Sequence, residues 1–470
     1  MPDLLANHAA SRLFAHDYTL WSDEPTEITN RLDWLTEPHR IRNDLDAIRS
    51  FADDARNNGV DRVVWCGMGG SSLFPELLAT SGLTAPDSPA FMVLDSSHPQ
   101  AVLRAEAFAN GGTPLVVVAS KSGGTIETRS HLEYLLHHLP HAQFAVVTDA
   151  GSALDQLASA RNFRGIFHAN PNIGGRYSAL SHFGIVAAGL LGVDLDALLD
   201  GGCDMLRQCA SDDPSNPGLQ LGARMGEWAT GGRDKLVADC APSIAAWLEQ
   251  LIAESTGKNN RGILPVPGGV DDARGDDRVR VSYGRGGDVD LGSLDCLGDA
   301  RTLGAELVRW EVATAIASVT MGINPFDQPD VEAAKVAAAA SLARATDIAE
   351  VSLETAIANA SAPQYVAIQA FVDPAGEVAG NLEAARQTII ATSGCATTAT
   401  IGPRYLHSTG QYHKGGVNNG VFVQVIDREL TPLPIPGRDF GFHDLLRAQA
   451  AGDYVALTER GRTVARVNNL

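Results

Sequence analysis

Short apolar runs rich in β-branched residues punctuate the first third of the chain: Val63–Cys66, Phe91–Leu94, Leu115–Val118 and Phe144–Val147. Helical patterning separates them, with helices predicted over Leu73–Thr80 and Glu127–His138. The runs are continuous rather than alternating, which indicates parallel strands covered on both faces. With right-handed crossovers, such strands form a doubly wound α/β sheet. Ligands of these sheets sit outside the carboxyl ends of the strands. Small polar clusters fall at those ends: Gly67–Ser72, Asp95–Ser97, Ser120–Thr125 and Thr148–Asp149.

The pattern then repeats less regularly. Asn30–Leu35 and Ile41–Ala52 carry helical spacing ahead of the first strand, and Arg176–Leu206 is helical again. Leu236–Ala238 begins a second α/β half, followed by a helix over Ile244–Glu254 and a strand over Arg278–Tyr283. A long helix is predicted for Thr302–Thr320 and an Ala-rich surface or inter-domain helix for Val331–Ala345. Tyr365–Phe371 and Gly420–Ile426 read as late strands. Pro267–Gly292, rich in Gly, Asp and Arg, reads as an exposed excursion around one strand. The expected organisation is a helical entry over 1–55, a first domain over 56–200 and a second over 201–350. Residues 351–470 would continue the second domain and pack on it.

Composition narrows the function. The chain has 470 residues, 44% hydrophobic and 20% charged, too apolar for a disordered protein. The net charge of −20 argues against non-specific nucleic-acid binding but leaves room for an anionic small substrate in a local pocket. The most apolar stretch, Phe183–Val193, is too short to span a bilayer, and the N-terminus lacks a signal-peptide pattern. The cysteines are scattered without disulfide or metal-ligand spacing. The expectation is a cytoplasmic, reduced protein that needs no metal or other cofactor.

Candidate chemistry concentrates in a few segments. Gly67–Ser72 lets the backbone approach an anion, with two hydroxyls and a helix N-terminus to donate hydrogen bonds. Its spacing is not that of a dinucleotide fingerprint. Ser120-Lys121-Ser122-Gly123-Gly124-Thr125 is a stronger phosphate candidate, although an ordinary helix N-cap ahead of Glu127 explains part of it. Arg176 follows two glycines and suits a developing oxyanion, or else a structural ion pair. Gln250 and Glu254 share a helix face, and the helix should stop at Gly257. A carboxylate at the end of an apolar helix is partly desolvated, which favours its use as a base. Lys335 and His407 are isolated residues of a kind that is usually structural or solvated.

Taken together, these residues resemble the phosphoglucose isomerase family, built from two sugar-isomerase (SIS) domains. The resemblance rests on G-G-S-S at Gly69–Ser72, S-K-S-G-x-T-x-E-T at Ser120–Thr128, G-G-R-Y-S at Gly174–Ser178, E-S-x-G-K at Glu254–Lys258, N-P-F-D-Q-P at Asn324–Pro329 and H-S-x-G-Q at His407–Gln411. More narrowly, the chain is similar to the isomerase half of bacterial bifunctional transaldolase/phosphoglucose isomerase proteins. The resemblance implies interconversion of glucose 6-phosphate and fructose 6-phosphate in glycolysis and gluconeogenesis. It implies that Ser120, Lys121, Ser122 and Thr125 take the phosphate, with Gly70 and Ser71 lining the sugar phosphate and Gln250 contacting substrate. Glu254 would move the proton between C2 and C1, Arg176 would steady the cis-enediol(ate), and His407 with Lys335 would open the ring. The order Glu254, Lys335, His407 departs from that of single-function members, and His413 and Lys414 are alternatives to His407. A homodimer and a separate transaldolase are the partners the resemblance suggests. The competing expectations are a non-catalytic sugar-phosphate-binding SIS module with a regulatory role, and an isomerase whose specificity extends to mannose 6-phosphate.

Overall fold

A computed structural model describes residues 1–292, 297–329 and 348–470. They form two compact units, neither continuous in sequence. The first comprises Met1–Asp95, Ala105–Thr230 and Gly292–Asp327; the second comprises Ser96–Arg104, Gly231–Leu291 and Gln328–Leu470.

The first unit is built on β1 (Arg62–Cys66), β2 (Ala90–Leu94), β3 (Pro114–Ala119), β4 (Gln143–Thr148) and β5 (Gly165–His168). The order is β2-β1-β3-β4-β5 and every pairing is parallel. Strand β3 is buried along its whole length, which explains its unbroken apolar run. Each buried Val or Leu there contributes about 1.5–3 kcal/mol of transfer free energy. The strand order reverses between β1 and β3. Gly67–Ser72 leaves β1 and Ser120–Thr125 leaves β3 at this reversal, where doubly wound sheets bind ligands.

The predicted helical stretch 176–206 is instead two helices, His182–Leu190 and Leu195–Cys209. Asp194 separates them by capping the second, accepting from the Ala197 N–H at 3.0 Å. The long helix Ala300–Met321 packs along Leu195–Cys209 and Pro217–Thr230 and buries Leu303, Leu307, Val312 and Ile316. The expected boundary after residue 200 therefore falls inside a helix, and the units divide after Thr230.

The second unit carries two parallel sheets. One runs β7-β6-β8-β9, from β6 (Lys235–Asp239), β7 (Leu264–Pro267), β8 (Arg278–Ser282) and β9 (Val289–Asp290). The other runs β10-β14-β13-β11-β12, from β10 (Glu350–Val351), β11 (Tyr365–Phe371), β12 (Ala396–Ile401), β13 (Gly420–Ile426) and β14 (Thr463–Val467). One core joins them: Val237 and Leu264 from the first sheet pack with Tyr365, Ala367, Ala396 and Phe422 from the second. The expected second domain and its C-terminal continuation thus share a core. The excursion Pro267–Gly292 holds two strands, β8 and the short β9, rather than one. The expected helix Val331–Ala345 lies outside the described residues. Among the described residues, no helix is long and apolar enough to cross a membrane.

Candidate active site

At the sheet reversal of the first unit, Ser120 is buried and its Oγ donates to Thr125 Oγ1 at 3.2 Å. The Gly123 N–H closes a turn on the Ser120 carbonyl at 3.2 Å, and the Gly124 N–H donates to Ser122 Oγ at 3.3 Å. Thr125 is the N-cap of the helix Ile126–His138, yet its side chain makes no cap hydrogen bond. The hydroxyl faces Ser120 instead, so the ordinary N-cap explanation fails and the helix N-terminus can serve an anion. Lys121 departs from its expected role. Its ammonium donates to Asp149 at 2.9 Å and 3.2 Å and to the Pro171 carbonyl at 2.7 Å. Burial pushes its pKa down while Asp149 pulls it back. The Lys121 side chain braces the loop rather than offering itself to a phosphate.

The two glycine-led loops of this unit touch. A Cβ on Gly70 would lie 1.9 Å from the Gly175 carbonyl oxygen. Only glycine permits that approach, because both contacting groups are backbone. Gly70 and Ser71 are thereby held against the turn that carries Arg176. Ser72 Oγ donates to the Gly69 carbonyl at 3.1 Å, and Trp65 Nε1 holds the Ser71 carbonyl at 2.6 Å. Arg176 is buried, and its Nε and Nη2 donate to the Pro325 carbonyl at 3.2 and 2.9 Å; Nη2 also reaches the Asp327 carbonyl at 2.8 Å. These bonds anchor the N-P-F-D segment. Phe326 packs against Tyr177 and Trp21, with ring centroids 5.3 and 5.2 Å away.

In the second unit, Gln250 and Glu254 lie on the helix Pro242–Thr256 and are both buried. The i, i+4 spacing brings Gln250 Nε2 to Glu254 Oε2 at 3.0 Å. The same Nε2 donates to the His407 carbonyl at 3.0 Å. The helix ends before Gly257 as expected, but for a different reason. Gly257 has a φ of −74°, so no left-handed cap forms. A Cβ there would stand 2.3 Å from Tyr412 Cα, and glycine is needed for room. Gln411 completes the junction by donating from Nε2 to the Gly257 carbonyl at 2.9 Å. The base candidate and the histidine turn are therefore joined at two points.

The alternatives to His407 are occupied elsewhere. His413 is fully buried, its Nδ1 3.3 Å from the Tyr365 hydroxyl, and packs among Tyr365, Tyr405 and Phe422. Desolvation, with Lys414 and Arg462 nearby, holds its pKa well below the usual histidine range. It is a neutral core histidine. Lys414 is buried in an ion pair with Asp453. His407 itself is half-buried at the end of a short 3₁₀ turn, Arg404–His407. Lys335 lies outside the described residues. Glu249, beside Gln250, had no expected role. Its Oε1 is shut away from solvent with no hydrogen-bond partner among the described residues. Burial lifts its pKa to about 8, opposed by Arg404.

In the first unit, hydroxyl- and glycine-lined loops at the reversal of a parallel sheet suit a phosphorylated ligand; in the second, a buried carboxylate held by a carboxamide suits a general base. The family model for phosphoglucose isomerase matches residues 26–261, half of the 470-residue chain, and the chain belongs to that family. Glucose-6-phosphate isomerase of Rubrobacter xylanophilus is 26% identical over 376 residues, covering 63% of this chain and 86% of that protein. Glucose-6-phosphate isomerase of Nostoc punctiforme is 31% identical over 258 residues, covering 48% of each; the match thus spans about half of that relative's length. Among solved structures, a hypothetical protein of Thermus thermophilus shares the fold with a TM-score of 0.61 at 23% identity, over 73% of this chain and 97% of that one. The chain is an enzyme of the aldose–ketose isomerase class.

Gly70→Ala should raise KM for sugar phosphate and lower stability by about 1–3 kcal/mol, since a methyl group is forced onto the Gly175 backbone. Steady-state kinetics and thermal unfolding check both. For Glu249, the folded protein holds a proton that the unfolded chain releases near its ordinary carboxyl pKa of 4.5. Its contribution to stability therefore falls as pH rises from 4.5 towards about 8. Glu249→Gln should change stability little at the acid end of that window and raise it at the alkaline end. A melting temperature difference between variant and wild type that does not grow with pH would overturn this reading.

Proposed function

We propose that this chain interconverts glucose 6-phosphate and fructose 6-phosphate by ring opening and proton transfer through a cis-enediol(ate). Ser120, Ser122 and Thr125 take the phosphate with the N-terminus of the helix Ile126–His138. Gly70 and Ser71 line the sugar phosphate. His407 and Lys335 move a proton between O5 and O1 to open the ring. Glu254 then removes the C2 proton and returns it at C1, and Gln250 steadies the carboxylate while contacting substrate. Arg176 carries a permanent positive charge towards the developing enediolate. The charge is met by hydrogen bonds and one cation, so no metal or nucleotide enters the scheme.

The observation that carries this reading is the Gln250 carboxamide, which donates to Glu254 Oε2 and to the His407 carbonyl, both at 3.0 Å. A base and a ring-opening residue serve successive steps on adjacent carbons, and here one side chain sets both. Glucose 6-phosphate isomerisation by relatives supports the substrate assignment over a non-catalytic sugar-phosphate module. Cytoplasmic action follows from a phosphorylated intermediary metabolite as substrate. A second copy of this chain is the structural partner we propose. An enzyme of the transaldolase class, which releases fructose 6-phosphate, is the metabolic one.

Glu254→Gln should lower kcat by about 10²–10⁴-fold, the range for loss of a general base. Fructose 6-phosphate turnover, coupled to glucose-6-phosphate dehydrogenase with EDTA present, reads it. Thermal protection by sugar phosphate should survive the substitution. Unchanged turnover would remove Glu254 from its role, and turnover abolished by EDTA in the wild type would remove the metal-free scheme. Light scattering coupled to size exclusion should give twice the chain mass; a single-chain mass would refute the dimer.

A further inference from the structure

Beneath the His407 turn lies a buried carboxylate that the reaction scheme does not use. Asp453 sits on the helix Phe442–Glu459 with only 1% of its side chain exposed. It receives two donors from opposite ends of the turn. Tyr405, two residues before His407, gives its hydroxyl hydrogen to Asp453 Oδ2 at 2.7 Å. Lys414, on the helix Gly410–Gly415 that follows, pairs its ammonium with Asp453 Oδ1 and reaches back to the Gly410 carbonyl at 3.4 Å. Arg462 completes the clamp: its Nη2 donates to the Lys414 and Gly416 carbonyls, each at 2.7 Å.

A buried ion pair of this kind is weak evidence of stabilisation, because desolvating two charges offsets most of their attraction. What it does supply is direction. A carboxylate with two oxygens committed to two partners leaves the segment between those partners little freedom. That segment is Leu406–His413, the H-S-x-G-Q motif with its histidine. Gln250 and Gln411 hold the same segment from the side of Glu254.

We propose that Asp453 is a positioning residue for ring opening, fixing the His407 turn through Tyr405 on one side and Lys414 on the other. The proposal rests on the assignment of His407 to ring opening. It does not require Asp453 to touch substrate.

Ring opening can be read apart from isomerisation. Opening and reclosure interconvert the α and β anomers of glucose 6-phosphate, and NMR magnetisation exchange follows that rate. The measurement is made in full-length Glu254→Gln, where the C2 proton transfer is removed and ring opening remains. In that background, His407→Ala should abolish enzyme-catalysed anomerisation. Tyr405→Phe, which deletes one hydroxyl, should slow it about tenfold, the scale of one hydrogen bond to a charged group. Asp453→Asn should slow it further. Protection by sugar phosphate against thermal unfolding should persist in each variant. Full anomerisation per folded molecule in Tyr405→Phe, with His407→Ala inactive, would overturn the proposal while leaving the ring-opening assignment intact. Full anomerisation in His407→Ala, or none in Glu254→Gln alone, would instead overturn the assignment on which it rests. If Asp453→Asn does not fold, Tyr405→Phe decides.

Discussion

A single carboxamide in the second unit ties the Glu254 side chain to the histidine turn. Gln250 Nε2 has two hydrogens, and its two acceptors are a buried carboxylate and a main-chain carbonyl of the histidine turn. Leaving a carboxylate in an apolar setting without a donor is costly, so this bond constrains the Glu254 rotamer as well as its position. The neighbouring Glu249 has no hydrogen-bond partner at its Oε1 among the described residues, and burial lifts its pKa to about 8. Two adjacent glutamate-bearing turns of one helix thus have different environments.

The first unit solves a different problem with backbone. Its loops approach so closely where Gly70 meets the Gly175 carbonyl that a side chain at Gly70 is excluded. The loop beside them is lined by hydroxyls and helix amides, and the lysine in the motif is diverted to Asp149. Arg176 tethers the N-P-F-D segment through the Pro325 and Asp327 carbonyls.

Much of this was legible in the sequence where burial is two-sided. Strands β1, β3 and β4 carry unbroken apolar runs because they are buried, and β11 and β13 are apolar but for one buried glutamine each, Gln369 and Gln424. The missed strands have reasons of their own. β7 reads Leu-Pro-Val-Pro and lies at a sheet edge, the one place where proline is tolerated. β5 and β14 are partly exposed, so their pattern is mixed. The Gln250–Glu254 pair was legible because i, i+4 spacing is local. Asp453 was not. Its partners Tyr405 and Lys414 are 48 and 39 residues away, and nothing local distinguishes an acid in that helix from a solvated one. The Lys121 diversion was hidden for the same reason, since Asp149 comes 28 residues later on a different strand end.

The division of the chain has a consequence during synthesis. The helices Leu195–Cys209 and Pro217–Thr230 emerge from the ribosome well before their partner, Ala300–Met321, because residues 231–291 belong to the other unit. At translation rates of about 5–20 residues per second, the wait lasts several seconds. Throughout it, Leu198, Leu199, Leu206, Leu219 and Met225, all buried in the finished protein, face water or whatever binds nascent apolar surface. Local helix formation takes on the order of a microsecond, so these helices form before their main packing partner exists. The discontinuous architecture therefore leaves, for a defined stretch of elongation, apolar surface that the later helix Ala300–Met321 covers.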